Sequence, residues 1–200
     1  MNEMTTVGFT EMKHGTRADY ELLARHEDEY AAGTADRLLE QLRKLADGLS
    51  GYRISRFGHS IQSAARAEAD GADIDWIVAA LLHDIGDELA PHNHDSIAAD
   101  IIRPYVREQV SWVVQHHGIF QMVYYAHHYG RDPEARRKYA DNPYYQDAVD
   151  FCERWDQASF DPDYESPPLE HFAPMVREVF ARPAWDETVL RKGEREPLVR

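Results

Sequence analysis

Apolar residues recur along most of this chain at spacings of three and four. Period-2 alternation of β-branched residues is scarce, so the pattern predicts an all-α protein. A first helix is expected from about Arg17 to Ala31, stopped by Gly33. Thr34 can cap a second, with Leu38, Leu39, Leu42 and Leu45 on one face and Gly48 and Ser50-Gly51 at its end. A third covers about His59 to Ala69 and is closed by Gly71. Asp73 caps a fourth, whose buried face is Ile74, Ile77, Val78, Leu81 and Leu82, ending at Gly86. Beyond a turn at Pro91, helices are expected at about Ser96–Ile102, Val106–His117 and Ile119–Tyr129, the last broken by Gly130. Pro133 starts a short helix ending near Ala140, and Pro143 starts a longer one running through Phe151 to Trp155. Asp161–Pro168 reads as a loop, Leu169–Ala181 as a last helix, and the Arg- and Glu-rich end as a mobile tail.

With 200 residues, 43% of them hydrophobic and 29% charged, the chain is sized for one domain with extensions. The expected division is a helical extension over 1–50 packed on a core over 51–182, with a tail over 183–200. A net charge of −14 without a basic block argues against nucleic acid and against an anionic membrane surface. The longest apolar stretch, Trp76 to Leu82, is far short of the roughly 20 residues of a membrane span. The opening MNEMTTVGFTEMKHG lacks the apolar run of a signal peptide, so a soluble, cytoplasmic protein is expected. Cys152 stands alone, which rules out an intrachain disulfide and a thiolate metal cluster.

The chain holds 11 histidines, seven of them between His83 and His128. One histidine alone is an ordinary surface residue; a pattern is not. The apolar run Ala79-Ala80-Leu81-Leu82 leads straight into His83-Asp84-Ile85-Gly86-Asp87. Burying His and Asp at the end of such a helix is costly unless something pairs with them, and a metal does so. Gly86 leaves room for another element to come close. His59 lies 24 residues upstream; His94, the pair His116-His117, and Trp155-Asp156 follow downstream, each on or beside its own helix.

This order resembles the HD-domain superfamily of metal-dependent enzymes, over about Tyr52 to Asp156. The resemblance implies a five-helix core with a dinuclear metal site between helices. His59, His83, Asp84 and Asp156 would bind one ion; the catalytic Asp84 would bridge to a second held by His94 and His117. His116 is the alternative to His117, and His92 to His94. Four imidazoles and two carboxylates suit Fe or Mn and tolerate Zn, Ni or Co.

Most members are phosphohydrolases acting on nucleotides or phosphate esters; a smaller group are mixed-valent diiron oxygenases. Gly58 to Arg103, through His59-Ser60, Ala79 to Asp84 and His94 with Ala98-Ala99-Asp100, is similar to the small phosphonate-cleaving oxygenases, as is Trp155-Asp156. The resemblance therefore implies two Fe ions, Fe(II)/Fe(III), and O2-dependent cleavage of a small hydroxylated substrate. A phosphohydrolase with Mn, Ni, Co or Zn is the alternative. A non-enzymatic, degenerate module fits less well, because all six candidate ligands are present.

The chain also departs from those oxygenases. Where relatives often place Lys or His against an anionic substrate there is Asp87, either facing the substrate or solvated. Gln121 replaces a lysine and Glu153 an arginine, while Tyr52 lies near the missing gating residues. Asp87, Gln121, Tyr52 and Arg154 are thus the candidate substrate contacts, and the acidic set suggests a neutral or cationic substrate. The aromatic run Ile119–Tyr129 reads as core packing, with a pocket wall as the other reading. The N-terminal helices can cover the active-site mouth or pair two chains as a homodimer.

Overall fold

The computed structural model describes residues 5–199. Among these there is no strand: α1 (Arg17–Ala32), α2 (Thr34–Lys44), α3 (Arg56–Ala69), α4 (Ile74–Leu82), α5 (His94–Ile102), α6 (Glu108–Tyr125), α7 (Tyr145–Phe151), α8 (Leu169–Phe180) and α9 (Glu187–Leu190) follow in order.

Local chemistry sets the boundaries that matter for the site. The Ser55 hydroxyl accepts from the Gly58 backbone N–H at 3.1 Å, so α3 begins at Arg56, three residues earlier than the apolar pattern suggests. Asp73 caps α4 by accepting from the Asp75 and Trp76 amides. Between them Gly71 takes φ +80, a conformation open to glycine, and turns the chain back on itself. The result is an antiparallel α3–α4 pair; α4 is buried from Trp76 to Leu82 and has no solvent face.

The expected break at Gly118 does not occur. α6 runs unbroken from Glu108 to Tyr125 because buried residues on both sides of the glycine, His117 and Phe120, hold it in the core. Gly118 instead makes room for α5: a side chain there would meet Asp95 Oδ2 at 3.4 Å. α5 pairs with α6, while α8 packs across α4 and α2. α7 runs into a π-helical turn, Cys152–Asp156, which packs against α3.

Described segments on both flanks join this core. Leu38, Leu39, Leu42 and Leu45 from the N-terminal region and Leu198 from the other end share one apolar cluster with α3, α4 and α6. The segment expected as a mobile tail is packed: Arg195 forks onto the buried Asp147 at 2.8–2.9 Å, and Gln109 donates to the Glu196 carbonyl. No helix among the described residues is long and apolar enough to cross a membrane.

Candidate metal centre

α3 contributes His59 from its first turns, the end of α4 delivers His83 and Asp84, α5 opens with His94, α6 carries His117, and the π-helical turn ends at Asp156. All but His94 are essentially sealed from solvent; the His94 side chain is 21% exposed. The six fall into two groups. His59 Nε2 lies 3.0 Å from His83 Nε2, 3.2 Å from Asp156 Oδ1 and 3.3 Å from Asp84 Oδ2. His94 Nε2 lies 3.3 Å from His117 Nε2, and the two are 3.4 and 3.3 Å from Asp84 Oδ1. Asp84 thus gives one oxygen to each group.

Each ring is fixed by its other nitrogen. His59 Nδ1 faces the Ser159 carbonyl at 2.8 Å, His83 Nδ1 that of Ala80 at 2.7 Å, and His117 Nδ1 that of Val114 at 2.6 Å. His94 Nδ1 makes a longer contact, 3.3 Å to Pro91 O. A carbonyl only accepts, so Nδ1 carries the proton and Nε2 is a bare lone pair when the ring is neutral. Two bare nitrogens 3.0 Å apart repel unless a cation lies between them. Asp84 Oδ1 and both oxygens of Asp156 are buried with no hydrogen-bond donor among the described residues. Converging lone pairs and unsatisfied carboxylate oxygens are the chemistry of a cation site, so the residues fit a metal pair.

Without metal, protons take that place. Burial pushes the His59 ring down, but Asp156 and Asp84 outweigh it and raise it to about 9. His117 is raised to about 9 in the same way, Asp84 overcoming the burial. Burial would raise Asp84 and Asp156. The His83 ring and the Arg56 guanidinium hold Asp84 well below the carboxylate range, and the His83 and His59 rings hold Asp156 below it.

Residues 56–150 match the family model of the HD domain. The match ends six residues before Asp156 and supports placement in the HD-domain superfamily, whose members are generally metal-dependent enzymes. No curated protein gives a significant match.

Residues of the matched segment and of both its flanks build the pocket above the centre. A cavity of about 840 Å³ opens over His94, its walls including Tyr52, Arg56, Asp87, Gln121, Tyr124, Tyr125 and Phe160. Tyr52 stacks on Phe160, which stacks on His59 at 4.3 Å. The aromatic run after His117 divides: Phe120 is in the core, while Tyr124, Tyr125 and Tyr129 reach the cavity. Burial raises Tyr124 to about 12, so its phenol remains a donor at neutral pH.

Gly86 is needed for close approach. A Cβ there would sit 2.9 Å from both Cα and O of His94. His116 lies on the other face of α6 from His117; its ring stacks on Trp112 at 4.3 Å and stays outside both groups. His92 also lies outside them.

One expectation needs correction. Arg154 does not line the cavity: its Nε binds Asp70 at 2.9 Å, because the π-helical turn directs 154 outward while burying 155 and 156. Asp87, read as facing the substrate or solvated, lines the cavity and is paired. Its Oδ2 is bound by Arg56 Nε at 2.5 Å, and its Oδ1 lies 3.3 Å from His94 Nδ1. Arg56, missed from the sequence, also reaches Asp84 Oδ2 at 2.5 Å. Its spacing of three from His59 on one helix was the available signal. Ser159 and Phe160 were missed too, and no local pattern marks them. The thiol of Cys152 is buried and pushed up by that burial, so it is a core residue and not a nucleophile.

Proposed function

We propose that this protein is a dinuclear-metal enzyme that uses two iron ions and O2 to cleave a small hydroxylated substrate oxidatively. The observation that carries the dinuclear reading is Asp84, whose two oxygens are divided between two groups of histidines. His59, His83, Asp84 and Asp156 would hold one ion, and Asp84, His94 and His117 the other. Imidazole and carboxylate without thiolate suit iron. When bound, the pair supplies substrate chelation and one-electron chemistry with O2.

The chain's own residues do the rest. The Nδ1–carbonyl bonds fix four ring orientations before anything binds. Phe160 and Tyr52 lie over His59 and keep water from that side. The Gln121 amide, one turn past His117, and the Tyr124 phenol offer donors to substrate hydroxyls. Among the cavity's walls Arg56 is the lone Lys or Arg, a sparse supply of positive charge for phosphoryl transfer. That arginine nonetheless favours the second reading, a phosphohydrolase, and so does the match to the HD domain, whose members are often phosphohydrolases.

Metal analysis and EPR of protein purified without added metal, then partly oxidised, separate the two. Two irons per chain with a coupled Fe(II)/Fe(III) signal are expected. Manganese, nickel, cobalt or zinc, no such signal, and turnover of nucleotides or p-nitrophenyl phosphate would replace the oxygenase with the hydrolase.

A further inference from the structure

α1 is a 16-residue helix in which only Asp19 and Leu22 are buried, and every residue from Ala24 to Ala32 is exposed. Its first turns rest on the molecule and its last turns overhang it. So short a free-standing stretch is marginal as a helix in water, where tertiary packing normally supplies what propensity lacks. Within the chain α1 packs mainly on α2. Among the described residues none of α1 lines the cavity over the metal centre, so covering its mouth is not the use of this helix.

α1 and α2 diverge from Gly33 around an open cleft of about 570 Å³. Leu23, His26, Glu27 and Tyr30 line it from α1, Thr34 and Arg37 from α2. The first four stand at i, i+3, i+4 and i+7, one stripe of a helix. Tyr30 is 68% exposed, with the Arg37 guanidinium 3.9 Å from the centre of its ring. His26 Nδ1 lies 3.9 Å from Glu29 Oε2, beyond hydrogen-bond reach. The stripe is complementary to itself read backwards. Its ends are apolar, and its middle sets an imidazole beside a carboxylate. Two copies related by a two-fold axis between positions 26 and 27 run antiparallel. Leu23 then meets Tyr30 of the partner subunit, and His26 meets Glu27 of the partner subunit, each contact occurring twice. A parallel pair would set Glu27 against Glu27 of the partner subunit, which like-charge repulsion disfavours.

We propose that this protein forms a two-fold dimer through α1, each copy laying the stripe Leu23, His26, Glu27 and Tyr30 into the other's α1–α2 cleft. The contact is one helix face, smaller than the roughly 1,200 Å² of a standard interface, so the dimer is a reversible one. The inference goes beyond the proposed reaction and is independent of it.

Sedimentation equilibrium of the full chain over about 1–500 µM spans the range where small interfaces associate. Wild type is expected to pass from monomer to dimer within it. Tyr30→Glu is expected to weaken the dimer by about tenfold or more. His26→Glu opposes two acids twice per dimer and is expected to weaken it by about 5–30-fold. Adding Glu27→Lys to His26→Glu restores opposite charges and should return the constant to within about threefold of wild type. These side chains are exposed, so each variant should melt within about 2–4 °C of wild type. A monomer at every concentration overturns the proposal. So does a dimer indifferent to Tyr30→Glu, which would put the interface elsewhere. A double variant no tighter than His26→Glu alone overturns it as well, since 26 and 27 would then not face each other.

Discussion

Gly86→Ala tests whether the centre depends on the close approach of the His83–Asp84 turn to α5. The added methyl would lie 2.9 Å from His94 Cα, 2.9 Å from His94 O and 3.2 Å from Ile97 Cβ. Two of these atoms are backbone and cannot rotate away, so overpacking should cost about 2–3 kcal/mol, the upper part of its usual range. The stiffer unfolded chain returns about 0.4–1 kcal/mol. A net loss of about 1–2.5 kcal/mol lowers Tm by roughly 2–10 °C at this chain length. Ordinary contact begins near 3.4 Å, so His94 must move by about half an ångström, enough to degrade a site held to that tolerance. The measurements are thermal melting and metal content per chain with a dissociation constant for each ion. The ion beside His59 should stay, and the ion beside His94 should weaken at least tenfold. A Gly86→Ala protein that melts as wild type and holds two ions at wild-type affinity would refute the packing argument.

Other outcomes follow from the same geometry. In chelator-treated protein, His59 and His117 are raised from 6.5 to about 9. A raised histidine stabilises the fold fully below its unfolded pKa and loses that contribution as pH passes its folded one. Tm of the metal-free protein should therefore fall between about pH 6.5 and 9, and a flat or rising profile would contradict the shared-proton picture. His117→Ala should lose the second ion, whereas His116→Ala should keep both; the reverse pattern in metal analysis would exchange their roles. Arg154→Ala removes a partly exposed pair with Asp70 and should cost at most about 1 kcal/mol, with metal content unchanged.

The helical order and the His-Asp centre were legible because they are local: a buried apolar run ending in two polar residues has few explanations. Gly86 was legible for the same reason, its neighbours in sequence leaving no other use for a bare backbone. What stayed hidden depends on direction. Whether α6 continues through Gly118 is decided by packing against α5, which no propensity contains. Arg154 stands two residues from Asp156, yet the two diverge because the turn there is π-helical. Ser159 and Phe160 reach His59 across a separation of about 100 residues, so no spacing rule could find them. Asp87 lines the cavity, and its pairing with Arg56 on α3 has no local signature in the sequence.

The π-helical turn has an evolutionary corollary. It closes with the Gln157 amide on the Cys152 carbonyl, one residue wider than an α-helical bond. Such a turn holds one residue more than an α-helical one, and here it spends that residue on exposing 153 and 154 while still burying 155 and 156. Diversity along this segment is therefore expected to concentrate at 153 and 154, where a new side chain meets water and leaves the carboxylate at 156 where it stands.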